Sequence, residues 1–288
     1  MKDWFGSTEI WVEGTVAALC FYLFVVHTAT TTASSFFNRS MLKDPNFTAG
    51  IILMFFVGII LNGTMVLLPT MMQVLMNYPV VTAGFVMAPR GIGTLISMIL
   101  VARIIGKIDT RLIIFCGLAL TAASLWQMTG FSLYMDMDLL LISGTLQGIG
   151  LGFVFTPLSV AAFSTLSRQH LTQGTAIFSL MRNIGGSVGV SIVEALFVEN
   201  TQVIHSSLIE HIRPDNPLAR APYLGPIYSL TEVQGVAALN AEVTRQAQMI
   251  AYIDNFYFMA VMILLTLPLL LLLRRKSSVA KGPAVAMD

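Results

Sequence analysis

The stretch "AGIILMFFVGIILNGTMVLLPTMMQ", residues 49–73, contains no charged side chain. A helix that crosses the hydrocarbon core of a bilayer needs about 20 mostly apolar residues, and this stretch is longer than that. Because lipid offers the backbone no hydrogen-bonding partner, a segment that crosses it must bond its backbone internally, as an α-helix does. The stretch therefore predicts a transmembrane helix, with the amide of Asn62 in its interior.

The rest of the chain has the same character. Of its 288 residues, 56% are hydrophobic and 11% charged, whereas soluble domains carry about 25% charged residues. Six further apolar segments have the length of a membrane span: residues 10–29, 80–102, 112–131, 139–163, 175–198 and 252–273. The predicted fold class is an all-α integral membrane protein with seven transmembrane helices.

Basic residues alternate between the short connections. They follow the first, third, fifth and seventh spans: Arg39, Lys43, Arg103, Lys107, Arg111, Arg168, Arg274, Arg275, Lys276 and Lys281. The connections "NYPVV" and "SLYMDMD", after the second and fourth spans, contain none. Since cytoplasmic loops are enriched in Lys and Arg, we expect a multi-pass protein of the inner (plasma) membrane, with its N-terminus outside and its C-terminus in the cytoplasm.

The N-terminal segment "MKDWFGSTEIWVEG" lacks the basic start of a secretory signal peptide. An external N-terminus without such a signal has two explanations. The chain is either a seven-span protein with receptor topology, or a part of a longer protein whose earlier helices precede Met1. The motifs described below favour the second explanation.

The sixth connection, residues 199–251, is long and of mixed charge, and we expect it to be an external loop. Its middle, "RPDNPLARAPYLGP", is rich in proline and is predicted to be irregular. The following stretch, "LTEVQGVAALNAEVTRQAQMIAYIDNF", has helical spacing and is predicted to lead directly into the last span.

An arginine lies inside the third span, in "GFVMAPRGIGTL". Ionisable groups at membrane depth cost about 2.5–3.5 kcal/mol on insertion scales, so Arg90 needs a partner or water. Pro89 removes a backbone hydrogen bond next to it. Two interpretations stay open: a bent helix that lines a cavity, or an arginine that reaches the headgroups or forms a structural pair.

The fifth span contains "GTLQGIGLGFVFTP", in which Gly144, Gly148 and Gly152 recur at every fourth position. Small residues at this spacing form a stripe that allows close helix packing. Gln147 lies beside the stripe, where its amide would line a pore or bond a neighbouring helix.

The sixth span contains the polar stretch "LMRNIGGSVGVSIVEALF", residues 180–197. At 100° per residue, one face carries three glycines, with Arg182 at its cytoplasmic end: Gly185, Gly186 and Gly189. The neighbouring face is polar: Asn183, Ser187, Ser191 and Glu194. A packing face beside a polar face predicts a helix that lines a cavity, and Glu194 is a candidate for proton or cation contact.

Motifs of several other protein classes are absent from the sequence. There is no G-x-x-x-x-G-K-[ST] phosphate loop, no HExxH metal motif and no G-x-S-x-G nucleophile elbow. We therefore expect no enzyme, no cofactor, no metal site and no nucleic-acid partner.

Several segments together resemble the C-terminal half of the 14-span drug:proton antiporters of the major facilitator superfamily, the EmrB/QacA type. They are "NRSMLKDPNFTAG", "VLLPTMMQVLMNYPVVTAGFVMAPRGIG", "LQGIGLGFVFTPLSVAAFSTL" and "GTAIFSLMRNIGGSVGVSI". The resemblance implies one extra helix with its flanking segments in residues 1–45. It further implies a six-helix C-terminal bundle in residues 46–276, which includes the external loop, and a cytoplasmic tail in residues 277–288.

The resemblance also implies a function, namely secondary active efflux of multiple drugs or amphiphiles by proton antiport. The partners it implies are membrane lipid, an amphiphilic small molecule, protons and the N-terminal half of the transporter, and it is compatible with a periplasmic adaptor protein. Two alternatives stay open: a seven-helix receptor or sensor, and a fragment with no transport activity alone. In a transporter, we expect the central cavity to be lined by Asn62, Arg90, Gln147, Arg182 and Asn183.

The connection "ARIIGKIDTRL" is similar to the second copy of the superfamily's cytoplasmic gating loop. The resemblance implies that Arg103, Asp109 and Arg111 form a charged latch. The sequence departs from many relatives at Gly106, where they have an acid.

Overall fold

The computed structural model describes residues 7–30, 39–212, 228 and 232–273. Within these residues there are seven α-helices and no strands, which confirms the predicted fold class. They are α1 (Thr8–Thr30), α2 (Pro45–Val74), α3 (Val80–Ile104), α4 (Thr110–Met128), α5 (Met137–Phe163), α6 (Leu171–Glu210) and α7 (Val233–Thr266). Short 3-10 helices cover Arg39–Lys43, Arg168–His170 and Leu267–Leu272.

Helices α2 to α7 are each long and apolar enough to cross a membrane. They pack as a bundle in which α5 contacts both α3 and α4, while α2 contacts α6. Helix α7 closes the bundle against α4 and α6. Nearly all described side chains of α1 are exposed, including those of Trp11, Phe21 and Tyr22. Exposed apolar groups of this size suit contact with lipid.

Aromatic pairs join the ends of the bundle. The rings of Phe163 and Phe178 lie 5.3 Å apart, edge to face, where α5 leads into α6. At the opposite end, the rings of Phe197 and Tyr252 lie 4.5 Å apart between α6 and α7. Such ring pairs are worth about 0.5–1.5 kcal/mol beyond the area they bury.

The sequence specifies two of the helix starts. Asp44 caps α2, because its carboxylate accepts hydrogen bonds from the backbone N–H of Asn46 at 2.9 Å and of Phe47 at 3.3 Å. Pro45 follows in the first helical position, where its missing N–H costs nothing. Asp109 caps α4 in the same way through the N–H of Arg111.

The turn between α3 and α4 explains Gly106. Its φ is +90°, in the left-handed region that residues with a Cβ rarely adopt. An acidic side chain at this position would strain the tight turn, so glycine stands here for a conformational reason.

The connection 199–251 differs from the expected loop. Helix α6 has 40 residues, a length of about 60 Å at 1.5 Å per residue, whereas the hydrocarbon core measures about 30 Å. Residues 199–210 therefore continue α6 as a helix instead of beginning a loop. The predicted helix leading into the last span is confirmed, since α7 starts at Val233. The irregular middle predicted for residues 213–226 lies outside the described residues.

We call residues 199–210 and 233–251 the α6–α7 hairpin. Nε2 of His205 lies 3.1 Å from Oδ1 of Asn240, which joins its two helices. Arg245 anchors it to the bundle, since its Nε donates to the carbonyl of Leu75 at the end of α2, at 3.3 Å.

Candidate functional site

The glycine face of α6 packs directly on α2. A Cβ at Gly185 would overlap the carbonyl of Phe55, and one at Gly189 would lie 2.6 Å from the Cα of Ile59. On α2, a Cβ at Gly58 would overlap the carbonyl of Arg182. Backbone therefore meets backbone along this interface, which only glycine allows.

Asn62 and Arg182 lie at the edge of the same interface. The Asn62 amide donates to the carbonyl of Gly58 at 3.1 Å and covers Gly186, so that a Cβ there would overlap it. The side chains of Asn62 and Arg182 are both half-buried.

The polar face of α6 points away from the bundle. Asn183, Ser187 and Ser191 are exposed together with the apolar Ile184 and Val188, whereas the glycine face is buried. The hydroxyl of Ser191 donates to the carbonyl of Ser187 at 3.0 Å and keeps lone pairs for a further donor. Glu194 is half-buried, and its charge lies near the hydroxyl of Tyr252 on α7.

Arg90 lies inside the bundle, with its side chain 6% exposed. Its Nη2 donates to the hydroxyl of Thr64 at 2.8 Å and approaches the carbonyl of Leu61 at 3.4 Å. Its Nη1 is buried and has no hydrogen-bond partner among the described residues. Sequence reasoning did not single out Thr64, although a polar residue two positions after Asn62 in an apolar span is a usable signal.

The stripe on α5 packs against the α3 backbone around Arg90. A Cβ at Gly148 would overlap the carbonyl of Arg90, and one at Gly152 would overlap the hydroxyl of Ser97. The Thr94 hydroxyl lies 2.9 Å from the Arg90 carbonyl and 3.0 Å from that of Gly148, so it links the two helices. Gly144 is looser, because its nearest neighbour, the Cβ of Arg90, would be 3.9 Å away.

Gln147 is fully buried on α5, and neither its amide nitrogen nor its amide oxygen has a partner within the described part of the chain. Arg90 and Gln147 are among the residues expected to line the central cavity, and in the structure both side chains are buried in the interior of the six-helix bundle. Of the five expected cavity residues, Asn183 is exposed, Asn62 and Arg182 border the α2–α6 interface, and Arg90 and Gln147 belong to the core.

The three residues of the expected latch lie in or beside one turn. Arg103 is exposed at the end of α3, and Asp109 accepts the N–H of Arg111 at 3.1 Å as the cap of α4. The Arg111 side chain is half-buried, and its Nε has no hydrogen-bond partner in the ranges that the structure covers.

Comparison with known proteins supplies the wider context. The sequence profile of the Major Facilitator Superfamily matches residues 3–190. The Multidrug export protein EmrB of Escherichia coli (strain K12) is 28% identical over 273 residues, which are 93% of this chain and 52% of that protein. The Fatty acid resistance protein FarB of Neisseria gonorrhoeae is 27% identical over 269 residues, 93% of this chain and 53% of that protein.

A more partial match is the Colistin resistance protein EmrB of Acinetobacter baumannii, 27% identical over 217 residues, 73% of this chain and 42% of that protein. Among solved structures, a bacterial homolog of the human lysosomal transporter Spinster, inward-facing and occupied, superposes with a TM-score of 0.52 at 15% identity. That match covers 80% of this chain and 50% of the other and shows a shared fold. The chain spans about half the length of the curated relatives it matches.

Proposed function

This chain belongs to the Major Facilitator Superfamily, and from that premise we propose that it is one six-helix half of a secondary active exporter. The proposed activity is the outward movement of amphiphilic drugs in exchange for protons. The names of its relatives, which include multidrug export, fatty acid resistance and colistin resistance proteins, support this substrate class. Colistin and fatty acids are both amphiphiles.

The proposed arrangement follows the membrane physics of such carriers. In this superfamily the substrate lies near the bilayer midplane, between two repeats of helices. We assign residues 46–276 to one repeat and residues 1–45 to an additional helix with its flanking segments, with residues 277–288 as the tail. The N-terminal half of the transporter would supply the opposite wall. The match to about half of each relative's length supports that assignment.

The polar face of α6 is the observation that carries the proposal. Its exposed amide and hydroxyl groups, on Asn183, Ser187 and Ser191, lie in the middle of the part of α6 that is predicted to span the membrane. Lipid offers such groups no hydrogen-bond partner, although Ser191 would keep its bond to the carbonyl of Ser187 within the helix. A water-filled cavity on that side satisfies them, with Asn62 and Arg182 at its edge.

The glycine interface gives this wall a simple way to move. Because α6 meets α2 through backbone contacts at Gly58, Gly185 and Gly189, few long side chains interlock across it. Small displacements along the interface therefore require few rotamer changes. Arg90, bonded to Thr64, ties α3 to α2 on the other side, so that these helices move as one body.

Glu194 is the proposed site of proton or cation contact. It shares the polar side of α6, and its half-buried position beside Tyr252 limits its contact with bulk water. It is the carboxylate on that side of α6, and a carboxylate is a group that carries a proton in transfer steps.

The proposed orientation places the turn at Arg103, Asp109 and Arg111 in the cytoplasm of the cell, as a gating latch. The α6–α7 hairpin would then project outside the inner membrane, where it is available to a periplasmic adaptor protein. The alternation of basic residues between connections supports this orientation.

The test is ethidium efflux from drug-sensitive bacterial cells that produce this chain joined to its N-terminal half. We expect efflux that stops when a protonophore dissipates the proton gradient. Cells that produce residues 1–288 alone provide the comparison, and we expect no efflux from them. Efflux that persists without a proton gradient would refute antiport, and efflux by the chain alone would refute its assignment as one half.

A further inference from the structure

A groove of about 520 Å³ separates the start of α4 from the 3-10 helix that ends the last span. Its walls are apolar and include Leu112, Phe115, Leu267 and Leu271. Leu112 is 54% exposed, Phe115 46% and Leu271 80%, so the groove is open along its length. Its rim contains two charged residues, Asp109 and Arg111.

The two charged residues at the rim, Asp109 and Arg111, differ in their hydrogen bonds. The Asp109 carboxylate caps α4 by accepting the N–H of Arg111. The Nε of Arg111 is buried, and the described residues provide it with no hydrogen-bond partner. The Arg111 side chain as a whole is only half-buried and lines the groove, so its guanidinium is placed to donate charge-assisted hydrogen bonds to an anionic oxygen there.

The combination of an apolar wall and a cationic rim restricts the occupant. A small soluble anion would leave the apolar wall at Phe115 and Leu271 without a contact. A purely apolar molecule would leave the Arg111 guanidinium without an acceptor. The groove also lies at helix ends, the depth at which phospholipid headgroups meet the hydrocarbon core. Arg103 and Lys107, in and beside the same turn, add positive charge, which attracts anionic lipid.

We propose that this groove is a binding site for one anionic phospholipid of the adjacent leaflet. The phosphate accepts hydrogen bonds from the Arg111 guanidinium, beside the first turn of α4. An acyl chain lies along Leu112, Phe115 and Leu271. The site is separate from the polar face of α6, so the lipid proposal does not depend on the proposed transport cavity.

The experiment is native mass spectrometry of the full chain in detergent, titrated with phosphatidylglycerol or phosphatidylcholine. Phosphatidylglycerol has a net negative charge, whereas the choline group of phosphatidylcholine cancels the charge of its phosphate, so we expect phosphatidylglycerol to bind about tenfold more tightly beside Arg111. Arg111→Gln should abolish that preference, whereas Lys107→Gln, an exposed neighbour that adds charge but does not line the groove, should keep most of it. Equal binding of the two lipids, or equal loss in both variants, would overturn the proposal.

A second pair of variants tests the apolar wall without altering a buried residue. Leu271→Gln should weaken both lipids, while Leu265→Gln, which is 71% exposed and outside the groove, should weaken neither. Glycerol 3-phosphate, which has the phosphate but no acyl chain, should not compete at equal concentration. Effective competition by glycerol 3-phosphate would show a free-phosphate site instead, and unchanged binding in Leu271→Gln would remove the acyl-chain contact.

Discussion

The guanidinium of Arg90 on α3 donates to the hydroxyl of Thr64 on α2 at 2.8 Å. The Thr64 hydroxyl also lies 2.7 Å from the carbonyl of Ile60, so its own proton is used within α2 and its lone pair serves Arg90. This contact places a positive charge inside a six-helix bundle and gives it a neutral partner. It makes Arg90 a residue that holds two helices together, with one further N–H, on Nη1, still unpaired within the described residues.

The first prediction concerns that contact. Thr64→Val keeps the shape of the side chain but removes the acceptor, and leaving a buried donor unpaired costs about 1–3 kcal/mol. We expect a lower thermal unfolding temperature in detergent. Thr70→Val is the matched control, because the Thr70 hydroxyl is exposed and bonds only to the carbonyl of Val66 in its own helix. Equal melting of the two variants would show that Arg90 does not depend on Thr64.

The second prediction uses glycines in two environments. Gly185→Ala introduces a Cβ that overlaps the carbonyl of Phe55, so we expect destabilisation of about 1–3 kcal/mol by overpacking. Gly91→Ala has open space around its Cβ and should stabilise α3 by up to about 1 kcal/mol, from helix propensity alone. Thermal unfolding of the two variants should therefore shift in opposite directions. A shift in the same direction would contradict the close approach of α2 and α6.

The third prediction concerns the proposed cavity wall on α6. Asn183→Ala in the complete transporter removes an exposed amide from the polar face of α6. The loss of one hydrogen bond to substrate, about 1 kcal/mol, should reduce ethidium efflux about fivefold at unchanged protein level. Ser206→Ala, an exposed residue of the α6–α7 hairpin, should leave efflux unchanged. Full efflux by Asn183→Ala would remove this face from the cavity.

Asn183 is exposed whereas Arg90 and Gln147 are buried, and this difference shows what can and cannot be predicted from the sequence. Apolar length predicts the spans, and the helical wheel groups Gly185, Gly186 and Gly189 on the face that meets α2. A polar residue in an apolar span indicates that something other than lipid lies beside it. The sequence does not say whether that neighbour is water or another helix, because the answer depends on how six helices rotate against each other. The side chains of Arg90 and Gln147 are buried among neighbouring helices, whereas the side chain of Asn183 is exposed.

The length of α6 was underestimated for a related reason. Hydropathy locates the part of a helix that lies in lipid, and residues 199–210 are too polar to be counted in it. They lie beside the start of α7, where His205 contacts Asn240, 35 residues further along the sequence. Local sequence patterns contain no information about that contact.

The fourth prediction concerns proton coupling. Glu194→Gln is nearly isosteric but does not exchange a proton, so we expect substrate-driven proton release from proteoliposomes of the complete transporter to disappear. Ethidium binding should persist, which separates a coupling defect from misfolding. Glu199→Gln, an exposed carboxylate farther along α6, is the control and should release protons normally. Normal proton release by Glu194→Gln would exclude Glu194 from the coupling step.

The fifth prediction concerns the α6–α7 hairpin. His205 and Asn240 are 3.1 Å apart, and with its proton on Nε2 the imidazole donates to Oδ1 of the amide. Asn240→Ala removes the acceptor, and the loss of about 1 kcal/mol should accelerate local opening about fivefold. Hydrogen–deuterium exchange should therefore rise in residues 199–210 and in the first turns of α7, while α2 and α5 keep their protection.

The control for the hairpin is Gln202→Ala, an exposed position on the same extension of α6. It should leave the exchange of both hairpin helices unchanged, since it removes no contact between them. Faster exchange confined to α7 in Asn240→Ala would mean that α6 does not depend on the pair. In that case residues 199–210 would be held by their own helical hydrogen bonds, and the hairpin would not open as one unit.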